Sequence, residues 1–390
     1  MLDFWKMAKI KKIKSMKPSL PSQRSTGVAS AISAIFRRCS VAGILGSVML
    51  VAMILIMGRE GGSQQKTAHG FSPKASEDAI DQSPTPLISL QPERITLSGR
   101  HVSYQFPPGS CSGMKGILFL YHGCTRAALS FFYSPQGRDM MRTSLSAGLA
   151  VVAFEKQGSC WSTSLDLDAT IAAGNQWIEQ YLVPHCGDDA GTRLPFFGFG
   201  ASSGGSFVAE VASKSSGFKF ASINVQIMTP HADIAIPTVF TVMSRDEHTL
   251  HGVEQVSTEL KAKGIPALTI KTQPNRVTFE YLMGRFKDDE SFTEDIAKDI
   301  VSDLQKMGAI AEDGSLELDP RSLEIGSILS YKSPNGAFGV SPELWDMLSP
   351  SEKEDASMLW LVEELNVCYD QHEITASQFE NVVGFFLAHA

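Results

Sequence analysis

Two kinds of hydrophobic pattern divide the chain. The first is the short apolar run without a polar face. "KGILFLYHG" (Lys115–Gly123), "AVVAFEKQG" (Ala150–Gly158), "LPFFGFG" (Leu194–Gly200), "IPTVFTVMSRDEH" (Ile236–His248) and "IPALTIKTQ" (Ile265–Gln273) are of this kind, and each suits a strand buried on both sides. The second has helical spacing, in "RDMMRTSLSAGL", "DLDATIAAGNQWIEQYLVPHC", Ser203–Lys214 and a segment from about Gly252 to Lys263. Pro184 is expected to end the second of these helices. Ahead of the series, "RITLSGRHVSYQFPPG" reads as a hairpin turning at Ser98-Gly99-Arg100. Buried strands alternating with helices predict an α/β fold whose sheet is mostly parallel, with its site at the strands' carboxyl ends.

The last hundred residues break the alternation. "SFTEDIAKDIVSDLQKMG" has helical spacing, with Thr293 as N-cap and Gly308 at its end. From Ser341 onward the chain reads as all-helical, and Thr375 and Gln378 have the spacing of a capping box before the last helix. Residues from about 291 to 390 are therefore expected to form a helical appendix on the α/β core. No internal repeat is visible.

The longest apolar run lies outside this rhythm. "CSVAGILGSVMLVAMILIMG" (Cys39–Gly58) has no charge and is bounded by Arg37-Arg38 and Arg59-Glu60. As a helix it would span about 30 Å, the thickness of a bilayer's hydrocarbon core. The 38 residues before it carry nine Lys/Arg against one acid, Asp3, a net +8. That bias predicts a cytosolic head (1–38), a transmembrane signal-anchor helix (39–58) and a body on the lumenal or extracellular side. An acid-poor, serine-bearing basic head also fits an organelle transit peptide. Gly, Ser, Gln and Pro dominate residues 59–93, as in a flexible linker, and the folded domain is expected over 94–390.

The whole chain has a formal net charge of −8, so the head's +8 leaves −16 on the remainder. An acidic body argues against a nucleic-acid partner. Of six cysteines, Cys39 sits at the membrane edge, and five (Cys111, Cys124, Cys160, Cys186 and Cys368) lie in the body. No CxxC pair or zinc-ligand spacing occurs, so neither a metal nor another cofactor is expected. In an oxidising lumen the five would suit two disulfides and one free thiol.

One motif carries chemistry. Gly200-Ala201-Ser202-Ser203-Gly204 fits G-x-S-x-G, with an apolar run before it and a helix rich in small residues after it. That context is what a nucleophile elbow requires, since the serine sits on a tight strand-to-helix turn with glycines two residues away on either side. His122-Gly123 at the end of "GILFLYHG" supplies the loop of an oxyanion hole, whose backbone N–H donors would be those of Cys124 and Ser203. His122 itself reads as a histidine that shapes this loop. Asp246, at the carboxyl end of a buried strand, stands where a triad acid belongs.

Together these features resemble the α/β-hydrolase superfamily and, more narrowly, a group of plant and algal membrane-anchored α/β-hydrolase-like proteins. The resemblance is carried by "HGC" (His122–Cys124), "CW" (Cys160-Trp161), "GASSGG" (Gly200–Gly205), the strand ending in Asp246 and "EELN…HEIT" (Glu363–Thr375). It covers about residues 94–390 and implies an α/β-hydrolase fold. It also implies Cys124 and Cys160 at one sheet edge, placed for a disulfide in an oxidising lumen. In members the base follows the strand corresponding to "IPALTIKTQ", yet "PNRVTFEYL" contains no histidine. Four histidines follow Asp246: His248, His251, His372 and His389. His372, in the matched tail between two helices, is the candidate base. The expected function is a membrane-anchored serine hydrolase acting on an ester, thioester or lipid-like acyl substrate. The alternative is a catalytically inactive α/β-hydrolase-like binding protein that keeps the elbow for packing.

Overall fold

The computed structural model describes residues 87–214, 218–230, 233–287, 289–323, 333 and 336–390. The head, the apolar segment 39–58 and most of the linker lie outside the described residues. No helix among the described residues is long and apolar enough to cross a membrane.

Eight strands form one sheet: β1 (Glu93–Leu97), β2 (Arg100–Gln105), β3 (Gly116–Tyr121), β4 (Leu149–Phe154), β5 (Phe196–Ala201), β6 (Phe220–Gln226), β7 (Thr238–Val242) and β8 (Ala267–Lys271). Their spatial order is β1-β2-β4-β3-β5-β6-β7-β8. The β1–β2 hairpin and the β2–β4 pair are antiparallel, and every other pairing is parallel. Helices of six or more residues are α1 (Pro135–Ser146), α2 (Thr163–Trp177), α3 (Ser203–Ser213), α4 (Glu247–Ala262), α5 (Phe279–Arg285), α6 (Glu294–Lys306), α7 (Pro342–Met347), α8 (Pro350–Tyr369) and α9 (Phe379–Ala388). A mostly parallel sheet flanked by helices, with a tight strand–turn–helix at its centre, is an α/β-hydrolase-like fold.

The unbroken hydrophobicity of the central strands has a direct cause. Leu118 and Leu120 of β3 face one core layer, with Val151, Ala153, Phe197 and Phe199, under α1 and α9. Ile117, Phe119 and Tyr121 face the other, with Val152, Phe154 and Trp177, under α2, α3 and α4. With both faces covered, neither alternate set of side chains meets water, so both sets are mainly apolar. β6 escapes a simple hydrophobicity reading because "FASINVQ" mixes Ser222, Asn224 and Gln226 with apolar residues. All three are nonetheless buried, and Asn224 Nδ2 donates to Val239 O and Thr241 Oγ1.

Three local expectations are corrected. Pro184 does not end its helix: α2 runs into a π-helical stretch (Ile178–Leu182) and a further turn (Val183–Cys186), and the chain breaks at Gly187, φ 93°. A wide π turn changes which carbonyl each N–H faces, so a proline just after it has less of a ladder to break. Helix α4 starts at Glu247, well before Gly252, because the Asp246 side chain caps it. The Thr375/Gln378 capping box is absent: Gln378 has φ 59° and makes no side-chain cap, while Thr375 Oγ1 accepts from Ser377 N at 3.0 Å. A capping box occurs instead at Ser349 and Glu352, opening α8.

The helical region is also arranged differently from an appendix. Residues after β8 form helices α5–α8 around their own apolar cluster, which includes Leu282, Phe286, Ile300, Phe338, Trp360 and Leu365. The chain then returns, and α9 packs on the sheet, with Phe386 stacked on Phe197 at 5.1 Å and Phe379 edge-on to Phe199 at 6.0 Å. Helices α5–α8 are thus an insertion between β8 and the closing helix of the α/β core.

Candidate active site

Sterics at the β5–α3 turn decide which residues it tolerates. Ser202 has φ 53° and ψ −120°, a conformation that a side-chain-bearing residue adopts only under constraint. A Cβ at Gly200 would collide with Gly204 O and lie 2.8 Å from Gly205 N. A Cβ at Gly204 would strike Tyr121 O and lie 2.6 Å from His122 O. Positions −2 and +2 must therefore be glycine, and the turn holds Ser202 at the head of α3, where the helix dipole favours negative charge. Ser202 N donates to Gln226 O at the end of β6, 3.0 Å away.

The structure brings Ser202, Asp246 and His372 together. His372 Nε2 lies 3.3 Å from Ser202 Oγ, and His372 Nδ1 lies 2.7 Å from Asp246 Oδ2. A carboxylate can only accept, so Nδ1 carries the proton and Nε2 is left as the acceptor for the serine hydroxyl. Asp246 Oδ1 meanwhile accepts Thr249 N at 3.3 Å as the cap of α4. Partial burial opposes ionisation of Asp246, but the hydrogen bonds from His372 and Thr249 outweigh it and hold its pKa below the ordinary carboxylate value. His372 is 45% exposed and Asp246 12%, so the imidazole faces solvent while the carboxylate bonded to it is sheltered.

His372 reaches the strand ends because the insertion delivers it there. Helix α8 ends at Asp370, φ 62°, whose buried carboxylate accepts Ser244 N at 2.6 Å and the Thr272 hydroxyl. Its carbonyl accepts Arg245 N at 3.1 Å. Thr272, just after β8, thus anchors the end of α8 to the loop that leads to Asp246. Gln226 fixes the other side of the histidine loop: Nε2 donates to Thr375 O (3.0 Å) and Oε1 accepts Thr375 N (3.2 Å). Gln226 therefore supports both the elbow and the histidine loop. Sequence reading passed over it together with β6, and an amide in a strand otherwise suited to burial was the available signal. His248 and His251 are exposed on the first turns of α4, and His389 bonds to Phe385 O at the end of α9; none is brought to Ser202.

The N–H groups of Cys124 and Ser203 donate to no acceptor among the described residues. Gly123 packs against the nucleophile, since a Cβ there would sit 3.6 Å from Ser202 Cβ. His122 is buried, with Nδ1 2.9 Å from Gly123 O, Nε2 3.4 Å from Glu155, and its carbonyl accepting Trp161 Nε1 at 2.7 Å. That is a loop-shaping environment. Disulfides join Cys124 to Cys160 and Cys111 to Cys186, and Cys368 is a buried free thiol. Cavities of about 730 Å³ and 230 Å³ are lined by other residues, and Ser202 borders neither.

No family model matches the chain, and no curated protein matches it. It is similar to several solved structures at low levels. An esterase/lipase from an uncultured bacterium is 15% identical, with a TM-score of 0.35 over 47% of this chain and 74% of that one. A lipase in its open form is 13% identical, with a TM-score of 0.36 over 47% of this chain and 90% of that one. The protein XC6422 from Xanthomonas campestris, an α/β serine hydrolase without a lid, is 14% identical, with a TM-score of 0.34 over 49% of this chain and 88% of that one.

Proposed function

We propose that this chain is a serine hydrolase acting on an ester, thioester or lipid-like acyl substrate. The observation that carries the reading is the hydrogen-bonded series Ser202 Oγ, His372 Nε2, His372 Nδ1, Asp246 Oδ2, at 3.3 and 2.7 Å. His372 takes the hydroxyl proton as Ser202 Oγ attacks the acyl carbonyl, and Asp246 stabilises the imidazolium that forms. The N–H groups of Cys124 and Ser203, uncommitted to other acceptors, bind the oxyanion of the tetrahedral intermediate. The imidazolium then protonates the leaving group, and water, activated by the same histidine, releases the acid.

The setting belongs to the same proposal. Residues 39–58 tether the hydrolase to a membrane, with the basic head in the cytosol and the catalytic domain in the lumen or outside the cell. The uncharged run and its Arg-rich flank support the tether, and two disulfides support an oxidising compartment.

The test is labelling with a fluorophosphonate probe. Ser202 of the intact protein is expected to be labelled, and Ser202→Ala and His372→Ala are each expected to reduce turnover of an activated ester by about 10⁴-fold or more. Absence of Ser202-dependent labelling would instead leave a binding protein that keeps the elbow for packing.

A further inference from the structure

Three consecutive residues between β4 and α2 contact the residues around the proposed oxyanion hole. Ser159 O accepts Thr125 N at 2.6 Å. Cys160 is bonded to Cys124, whose N–H is one oxyanion donor. Trp161 Nε1 holds His122 O at 2.7 Å, and Trp161 N lies 3.5 Å from the hydroxyl of Ser203, the residue of the second donor. Thr125, next to Cys124, has φ 61°. That conformation is costly for a β-branched residue and persists only when neighbours impose it. Of those neighbours the disulfide is the covalent one.

We infer that Cys160 is a positioning residue. Through its bond to Cys124 it holds an oxyanion N–H in place, so catalysis follows the oxidation state of this cysteine pair. The inference rests on the hydrolase reading above. Both cysteines are half-buried and are flanked by exposed Thr125 and Ser159, so a small dithiol can reach the bond. Its thiolate attacks one sulfur to give a mixed disulfide; its second thiol resolves it, leaving two protein thiols and an oxidised dithiol. Two electrons pass to the protein, and no bond to Ser202, His372 or Asp246 changes. What remains after reduction is non-covalent: Thr125 N to Ser159 O and Trp161 Nε1 to His122 O on either side of Cys124, and, further along, Lys156 to Arg126 O at 2.5 Å and Glu155 to Ala128 N at 2.7 Å. Cys124 itself then has no covalent tie, and its N–H is positioned only through the hydrogen bonds of its neighbours.

The second disulfide provides an internal control. Cys111 lies in the turn before β3, and Cys186 in the turn that leads towards β5. Both belong to the amino ends of the strands, away from the elbow. The experiment uses the full-length protein in detergent and a Cys111→Ser/Cys186→Ser variant, whose activity is expected to match the parent. Hydrolysis of p-nitrophenyl acetate and fluorophosphonate labelling are followed in oxidised protein, after dithiothreitol, after re-oxidation with oxidised glutathione, and in Cys160→Ser. Circular dichroism and thiol counting run alongside. Reduction or Cys160→Ser should lower kcat by about ten- to a thousandfold, as expected for weakening or losing one oxyanion donor. KM should stay within about twofold, because the donor acts on the transition state. Re-oxidation should restore the reduced protein and not Cys160→Ser.

An unchanged kcat once the thiols are counted as free would overturn the inference and leave the hydrolase standing. Loss of circular dichroism in parallel with activity would also overturn it, because the bond would then be merely structural. If the oxidised parent fails to label at Ser202, it is the hydrolase reading itself that falls.

Discussion

The elbow glycines and the triad acid make opposite demands on their surroundings. Gly204 must stay small because the carbonyls of Tyr121 and His122 occupy the place of its Cβ, and a rigid backbone oxygen cannot move aside as a side chain can. Gly204→Ala is therefore expected to yield little soluble protein, measured against Gly284→Ala, where nothing lies within 4 Å. Asp246 tolerates an isosteric change but loses its function. Asp246→Asn keeps the shape and offers Nδ1 a donor where it needs an acceptor, favouring the wrong tautomer of His372. A fall of about 10⁴-fold in kcat is expected in steady-state assays. The depressed pKa of Asp246 also has a stability sign. Its ionised form is the one bonded in the fold, so its contribution is present above the unfolded carboxylate value of about 3.8 and fades as pH falls through the lower folded value.

At the scale of elements, what the sequence revealed depended on whether a signal was local. Strands β3, β4, β5 and β7 could be read because burial on both faces leaves each a short run of apolar residues, interrupted in β7 only by Thr238 and Thr241. Strand β6 could not, because Asn224 and Gln226 are satisfied by partners that only the fold supplies. The elbow was legible from the eight residues before the serine (194–201) and the twelve after it (203–214). The histidine was harder: no local rule links His372 to Asp246 across 126 positions. The link is made by Asp370, where the end of α8 is bonded to Ser244, Arg245 and Thr272. Asp370→Ala should leave the sheet intact and loosen the histidine loop. A drop in kcat of up to about 10²-fold is expected, with His372 relaxing its bond to Asp246, visible as an upfield shift of the low-field imidazole proton resonance. An unchanged resonance and rate would show that Gln226 and α9 fix the loop without Asp370.

Taken as a whole, the molecule couples insertion and core through a buried polar network. Gln136 at the start of α1 donates its N–H to Glu363 and its amide to Glu364, both at 2.8 Å, and accepts Ala376 N at 2.8 Å. Arg285 and Tyr281 of α5 complete the partners of Glu364. Burial pushes the Glu363 carboxyl up from about 4.5 to about 8; Arg126 and the bond from Gln136 oppose the shift, and the nearby carboxylates of Glu373 and Glu364 add to it. Below about 8 the folded protein keeps this proton, whereas the unfolded chain gives it up above about 4.5. The unfolded state therefore binds fewer protons between those values, and the Glu363 contribution makes stability fall as pH rises. Glu363→Gln should flatten this part of the pH dependence, measured by denaturant midpoints across that interval. An unchanged slope would mean that Glu363 stays ionised in the fold.

The position of His372 also has a consequence in time. During synthesis Ser202 leaves the ribosome 170 residues ahead of His372, a delay of roughly 10–30 s at ordinary elongation rates. All eight strands, Ser202 and Asp246 are already made by then, so a nascent chain holding the whole sheet has a serine with nothing to deprotonate it. On the hydrolase reading proposed above, Ser202 becomes reactive only when the insertion has folded and returned the chain to the sheet. Ribosome-stalled chains that have exposed residues through Tyr369 should resist fluorophosphonate, and those that have exposed α9 should react.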